Sequence, residues 1–199
     1  METELTIVPA NEASWDDLAA IFGTTGDPAG CQCQWFKATK NEWRETPRDE
    51  RERRLREQAR CGHPDSETTS GIVAYLGGEP VGWCAVEPRT RYFRMRQMRI
   101  PWATRDEDQD DDSVFAVTCF VVRKGYRRQG ISRALAAATV DYARDRDARA
   151  IEGYPMTTEP GKEVIWGQLF VGSLGIFQDA GFVEVSSPTP RRRVVRIDF

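Results

Sequence analysis

The stretch with the strongest chemical signature is Arg123-Lys-Gly-Tyr-Arg-Arg-Gln-Gly-Ile-Ser-Arg133, where seven residues are basic or glycine and an apolar run gives way to a helix-forming one. Val114 to Val122 is almost wholly apolar, β-branched or aromatic, the pattern of a strand covered on both faces. Ser132 to Asp145 is rich in alanine and leucine and reads as a helix. A glycine turn between such elements aims several backbone N–H groups and the positive end of a helix dipole at one spot. With Arg123, Lys124, Arg127, Arg128 and Arg133 around it, that spot should take a phosphate.

The elements that position this corner follow from periodicity and turn signals. Leu5 to Val8 alternates as a strand, and Glu12 to Phe22 has helical spacing with Asn11 or Ser14 as cap. Gly23 to Gly30 reads as a loop. Thr46-Pro47 opens a charged surface helix, Arg48 to Arg60. Ser70–Tyr75 and Pro80–Val86 form a hairpin about Leu76-Gly-Gly-Glu, and Thr90 to Asp112 is a long connection, a loop or a weakly signalled strand. Beyond the central helix lie a strand at Arg149–Tyr154, a helix at Phe170–Ala180 stopped by Gly181, and strands at Phe182–Val185 and Arg193–Ile197. The expected fold is α/β (α+β), one domain over residues 1–199.

The chain has 40% apolar and 30% charged residues and a net charge of -3, which argues against a general nucleic-acid binder. No apolar run is long enough to span a bilayer and the N-terminus has no signal-peptide pattern, so the expected location is the cytoplasm. Five cysteines without a secretory signal read as reduced thiols. Cys31, Cys33, Cys61 and His63 could in principle ligate zinc, but the one-residue gap of Cys31-Gln-Cys33 is not the usual spacing, so no metal is expected. Asp106 to Asp112 holds six acidic residues in seven positions, read as a solvated loop or, alternatively, a lure for a cationic amine. Arg91 to Arg99 interleaves aromatic and sulfur side chains with arginines as an amphipathic edge, and Trp35, Phe36, Trp43 and Trp166 are candidates for an acceptor pocket.

Element order and residues together resemble the GNAT acyltransferase superfamily, whose cofactor motif has Gln/Arg, two residues, Gly, one residue and Gly/Ala. Here it reads Arg127-Arg128-Gln129-Gly130-Ile131-Ser132, with Ser in the last place, and Ile176-Phe-Gln-Asp-Ala-Gly-Phe182 resembles the family's helix ending in Gly-Phe. The resemblance implies a mostly antiparallel sheet flanked by helices, with a V-shaped cofactor cleft between the strands of the βαβ unit. It implies that N–H groups from Arg128 to Arg133 hold the pyrophosphate of acetyl-CoA. Phe120, Val121 and Val122 would pair with the pantetheine amides, and an N–H near Val121 or Val122 would serve the developing oxyanion.

The expected reaction is direct N-acetyl transfer to a primary amine, with acyl-CoA and an amine as partners, no nucleic acid or membrane, and a homodimer left open. Many members carry a proton-donating Tyr four residues before the Gly of Gly-Phe, and that position is Phe177 here. Ser173, Tyr154, Cys119 or a water are the alternative donors, and Glu87 and Glu152 the candidate bases. Phe177 also motivates a rival from another class, a silent acyl-CoA-binding sensor or assembly module. A nucleotide-binding regulator is a second rival.

Overall fold

The structure is a computed structural model that describes residues 4–158 and 166–199, Trp166 by its backbone alone. Seven strands form one sheet in the order β1-β2-β3-β4-β5-β7-β6: β1 Leu5–Pro9, β2 Gly71–Leu76, β3 Glu79–Pro88, β4 Val114–Val122, β5 Ala150–Gly153, β6 Val183–Thr189 and β7 Arg192–Asp198. Every neighbouring pair is antiparallel except β4 with β5. Those two are joined by helix α5, Ile131–Arg144, which gives the parallel crossover its required length.

One face of the sheet is covered by α5 and by the short helix α6, Leu174–Asp179; Phe115, Val117, Phe120, Leu135, Tyr142 and Phe177 pack there. The other face is covered by α1, Trp15–Phe22, and α4, Arg48–Ala59, around Trp83, Cys119 and Val121. Burial of Leu18, Ile21 and Phe22 fixes α1, at roughly 1.5–3 kcal/mol per side chain. In α4, Leu55 and Ala59 are the buried residues, and Glu50 pairs with Arg53 and Arg54 on its wet side.

Some expectations are narrowed to one alternative and others are corrected. Ser14 caps α1 through a capping box with Asp17, whereas Asn11 donates to the carbonyls of His63, Pro64 and Ser66 and braces that turn. The segment read as a loop contains helix α2, Gly26–Cys31, and a further helix α3, Lys40–Glu45, is capped by Thr39 with Glu42. Thr90 to Asp112 holds no strand; it runs through 3-10 turns at Arg89–Arg91 and Phe93–Gln97. The helix expected over Phe170–Ala180 is a 3-10 segment, Trp166–Val171, then α6, because Gly172 takes φ +84° between them. Strand β6, expected to end at Val185, continues through Ser186 to Thr189.

Candidate active site

The corner after β4 is built from local backbone geometry. A 3-10 turn at Lys124–Tyr126 ends the strand, Arg128 and Gly130 both take left-handed conformations (φ +64° and +79°), and Gly130 is the N-cap of α5. Arg123 donates to the Pro80 carbonyl at 2.8 Å and Arg127 to that of Val122 at 3.3 Å, which ties the turn to the sheet. Ile131 is buried with Leu135 and anchors the helix start. Arg127, Arg128, Gln129 and Gly130 are exposed, Ser132 is half-buried, and nothing lies within 4 Å of a β carbon built on Gly130. Arg133 reaches Asp179 on α6 at 3.0 Å. The result is an open, basic cradle at the free N–H groups of a helix, a good fit for a pyrophosphate.

The cradle opens onto a split in the sheet. Pairing of β4 with β5 stops at Val117↔Gly153, while β4 continues to Val122. Beyond Gly153 the chain turns away to bridge Ser173 and Arg192 at Met156. Phe120 and Val121 are nearly buried and Val122 half-buried along this released edge. At the mouth of the split β4 is bulged: Val117 pairs with Val86 and Cys119 with Ala85, leaving Thr118 as the extra residue. Phe177 is fully buried on the α5 side, edge-to-face with Phe120 at 5.7 Å, and a β carbon on Gly153 would stand 2.3 Å from its ring.

On the opposite face Glu87, Ala116 and Glu152 form one row across β3, β4 and β5. Glu87 forms an ion pair with Lys37, yet burial raises its carboxyl above the ordinary range, with Lys37 and Arg91 only partly offsetting that. Glu152 is fully buried and accepts from Arg89 (3.2 Å), Arg196 (2.6 Å), Arg105 and the Tyr154 hydroxyl (2.9 Å). Burial acts to raise its pKa, but Arg105, Arg89 and Arg196 outweigh it and the net direction is down. Burial and the neighbouring carboxylate push the Tyr154 phenol well above 10, so its proton is retained and committed to Glu152. Ser173 is the N-cap of α6, half-buried, with its side chain making no cap hydrogen bond.

Half of the acidic run is spent on internal ion pairs, Glu107 with Arg89, Arg105 and Arg196, Asp110 with Arg96 and Asp111 with Arg149, while Asp106, Asp108 and Asp112 are exposed. Trp35 and Trp43 pack against each other at 5.1 Å, with Arg94 stacked on the first and Arg51 on the second, and Phe36 packs on Phe170. The Trp166 side chain lies outside the described residues. Cys119 neighbours Cys33, and that contact together with burial raises its thiol well above 9. Lys37 is a residue of this region that the sequence does not single out, and Tyr92 is read from it only as part of the amphipathic 91–99 edge. Neither sits in a motif: Tyr92 comes to Glu87 from the 89–112 connection and Lys37 from the segment between α2 and α3.

The sheet, its split and the basic corner make one mixed α/β architecture with an open anion-binding turn beside a released strand edge. The sequence model of the Acetyltransferase (GNAT) family matches residues 33–157, more than half of the 199-residue chain, and the chain belongs to that family. Three solved structures align over nearly their whole length. The acetyltransferase of GNAT family from Streptococcus pneumoniae is 15% identical with a TM-score of 0.50, over 98% of this chain and 100% of that one. An N-acetyltransferase from Staphylococcus aureus Mu50 is 13% identical, TM-score 0.52, over 98% and 99%. The PaiA N-acetyltransferase from Thermoplasma acidophilum, solved in complex with coenzyme A, is 9% identical, TM-score 0.53, over 98% and 99%. At these identities the likeness establishes the fold. No curated protein matches the chain. Among the described residues no helix is long and apolar enough to cross a membrane.

Proposed function

We propose that the chain transfers an acetyl group from acetyl-CoA directly to a primary amine. The observation that carries this reading is the open cradle at Arg128–Gly130 leading into the β4–β5 split. When bound, acetyl-CoA supplies an activated thioester, and the protein's task is to place it, deprotonate the amine and stabilise the charge that develops. The N–H groups from Arg128 to Arg133 hold the pyrophosphate, and Phe120 to Val122 align the pantetheine arm along the released strand edge. Glu87 accepts the amine's proton, its burial bringing its basicity toward the working pH. Glu152, held by three guanidiniums, serves as an anchor for the connection above the site. Ser173, half-buried at the start of α6, is the remaining side-chain candidate for protonating the thiolate.

A second reading has a specific basis: Phe177 places a phenyl ring where many members carry a phenol, which suits a protein that binds acyl-CoA without turnover. Incubation with acetyl-CoA and a panel of primary amines separates the two. Acetylated amine with matching free CoA supports transfer; binding without turnover supports the silent module.

A further inference from the structure

Tyr92 is an unassigned group at the mouth of the split. It is essentially buried and packs with Ala116, Tyr154 and Val171 over the last β4 residues that pair with β5. Its hydroxyl lies against Thr118, the bulged residue that begins the released edge, without completing a hydrogen bond to it, and it has no partner among the described residues. A buried hydroxyl without a partner costs free energy and needs a reason. The charged groups near it are Glu87 on β3 and Lys37, whose ammonium stands 5.7 Å from the ring; Cys33 packs on the same side of the sheet, while Cys84 packs on the α5 side. Burial first and Glu87 second keep the phenol protonated well beyond its ordinary range, so it remains a donor throughout the working pH range.

We infer that Tyr92 is a catalytic hydrogen-bond donor to the acyl thioester oxygen, acting from the face opposite Phe177. This rests on the acetyl-transfer reading. As the amine nitrogen bonds to the thioester carbon, the carbonyl π electrons move to oxygen, and the Tyr92 O–H donates to that charge. The oxyanion's electrons then re-form the carbonyl as the C–S bond breaks, the amine's proton goes to Glu87 and the thiolate takes its proton from Ser173 or from water. A fixed donor in a dry site strengthens its bond as charge grows, which lowers the barrier more than it tightens binding.

The test is Tyr92→Phe, which removes only the unpartnered hydroxyl and leaves the ring packing in place. The expected loss is about 100-fold in kcat with the affinity for acetyl-CoA unchanged by calorimetry. An isotope-edited infrared spectrum of carbonyl-labelled acetyl-CoA supplies a readout free of turnover: its C=O stretch should fall on binding to the wild type and not on binding to the variant. Wild type that binds and turns over acetyl-CoA, with the same stretch and kcat in the variant, would overturn this inference alone. Wild type that does not bind acetyl-CoA would overturn the acetyl-transfer reading and this inference with it.

Discussion

Glu87 and Glu152 stand on either side of Ala116 in one row of the sheet, and their surroundings push their acidities in opposite directions. Neighbouring strands are about 4.8 Å apart, so the carboxylates are roughly two strand spacings from each other with only a methyl group between them. One has a single close cation and the other has three. Divergent environments of this kind are how a protein keeps one carboxyl reactive and another fixed.

For Glu87, the consequence is kinetic. Glu87→Gln should lower kcat/KM by about 10²–10⁴-fold, the usual contribution of a positioned base. The wild-type rate should rise with pH as the raised carboxyl ionises, above the ordinary 4.5, and the variant should lack that acidic limb. The pH–rate profiles of the two proteins, with an amine of high pKa, check this.

For Glu152, the consequence is stability. Its folded pKa is depressed, so its contribution is fully present above the unfolded value of 4.5 and is lost as pH falls through the lower folded value. Glu152→Gln leaves Arg89, Arg105 and Arg196 without their shared buried counter-charge, and should cost about 3–5 kcal/mol at neutral pH by denaturant unfolding. The difference between variant and wild type should shrink once the pH is low enough to protonate Glu152.

Gly130→Asp separates binding from folding. The position is open and left-handed, a conformation Asp tolerates better than most residues, so unfolding free energy should change by no more than about 1–2 kcal/mol. The carboxylate would stand in the anion cradle, and acetyl-CoA should no longer raise the melting temperature. Wild-type-like stabilisation by acetyl-CoA would remove the basis for placing the pyrophosphate there.

The thiols should be quiet. Burial pushes Cys31 and Cys61 up to about 11 and holds Cys84 well above 9, with Cys119 raised by Cys33 contact and burial. At pH 8 these four thiols should react slowly with an aromatic disulfide reagent in the folded protein and fully after denaturation. A rapidly acetylated Cys119, seen by peptide mass mapping after acetyl-CoA alone, would argue for a covalent route instead.

The segment from Val114 to Arg144 was legible because its signals are local: a buried apolar run, then a glycine turn, then an alanine-rich helix. The β2–β3 hairpin was legible for the same reason, with Gly77 and Gly78 both at positive φ as a two-residue turn requires. Helix α3 carries a readable local signal, the capping box of Thr39 and Glu42. Helix α2, with two glycines and a proline in six residues, carries none. On the site, Arg128 to Arg133 was readable as an anion corner, but the contrast between Glu87 and Glu152 was not. It depends on Lys37, fifty residues before Glu87 in the chain, and on arginines from the 89–112 connection and β7, contacts that only the assembled sheet creates.

The central claim is that the chain moves an acetyl group from acetyl-CoA to a primary amine, and its most direct measurement is mass-spectrometric detection of acetylated amine alongside free CoA. The account predicts that both appear in equal amounts with at least one amine of the panel, and that Gly130→Asp yields neither. Acetyl-CoA that binds to the wild type and is recovered intact with every amine would contradict it.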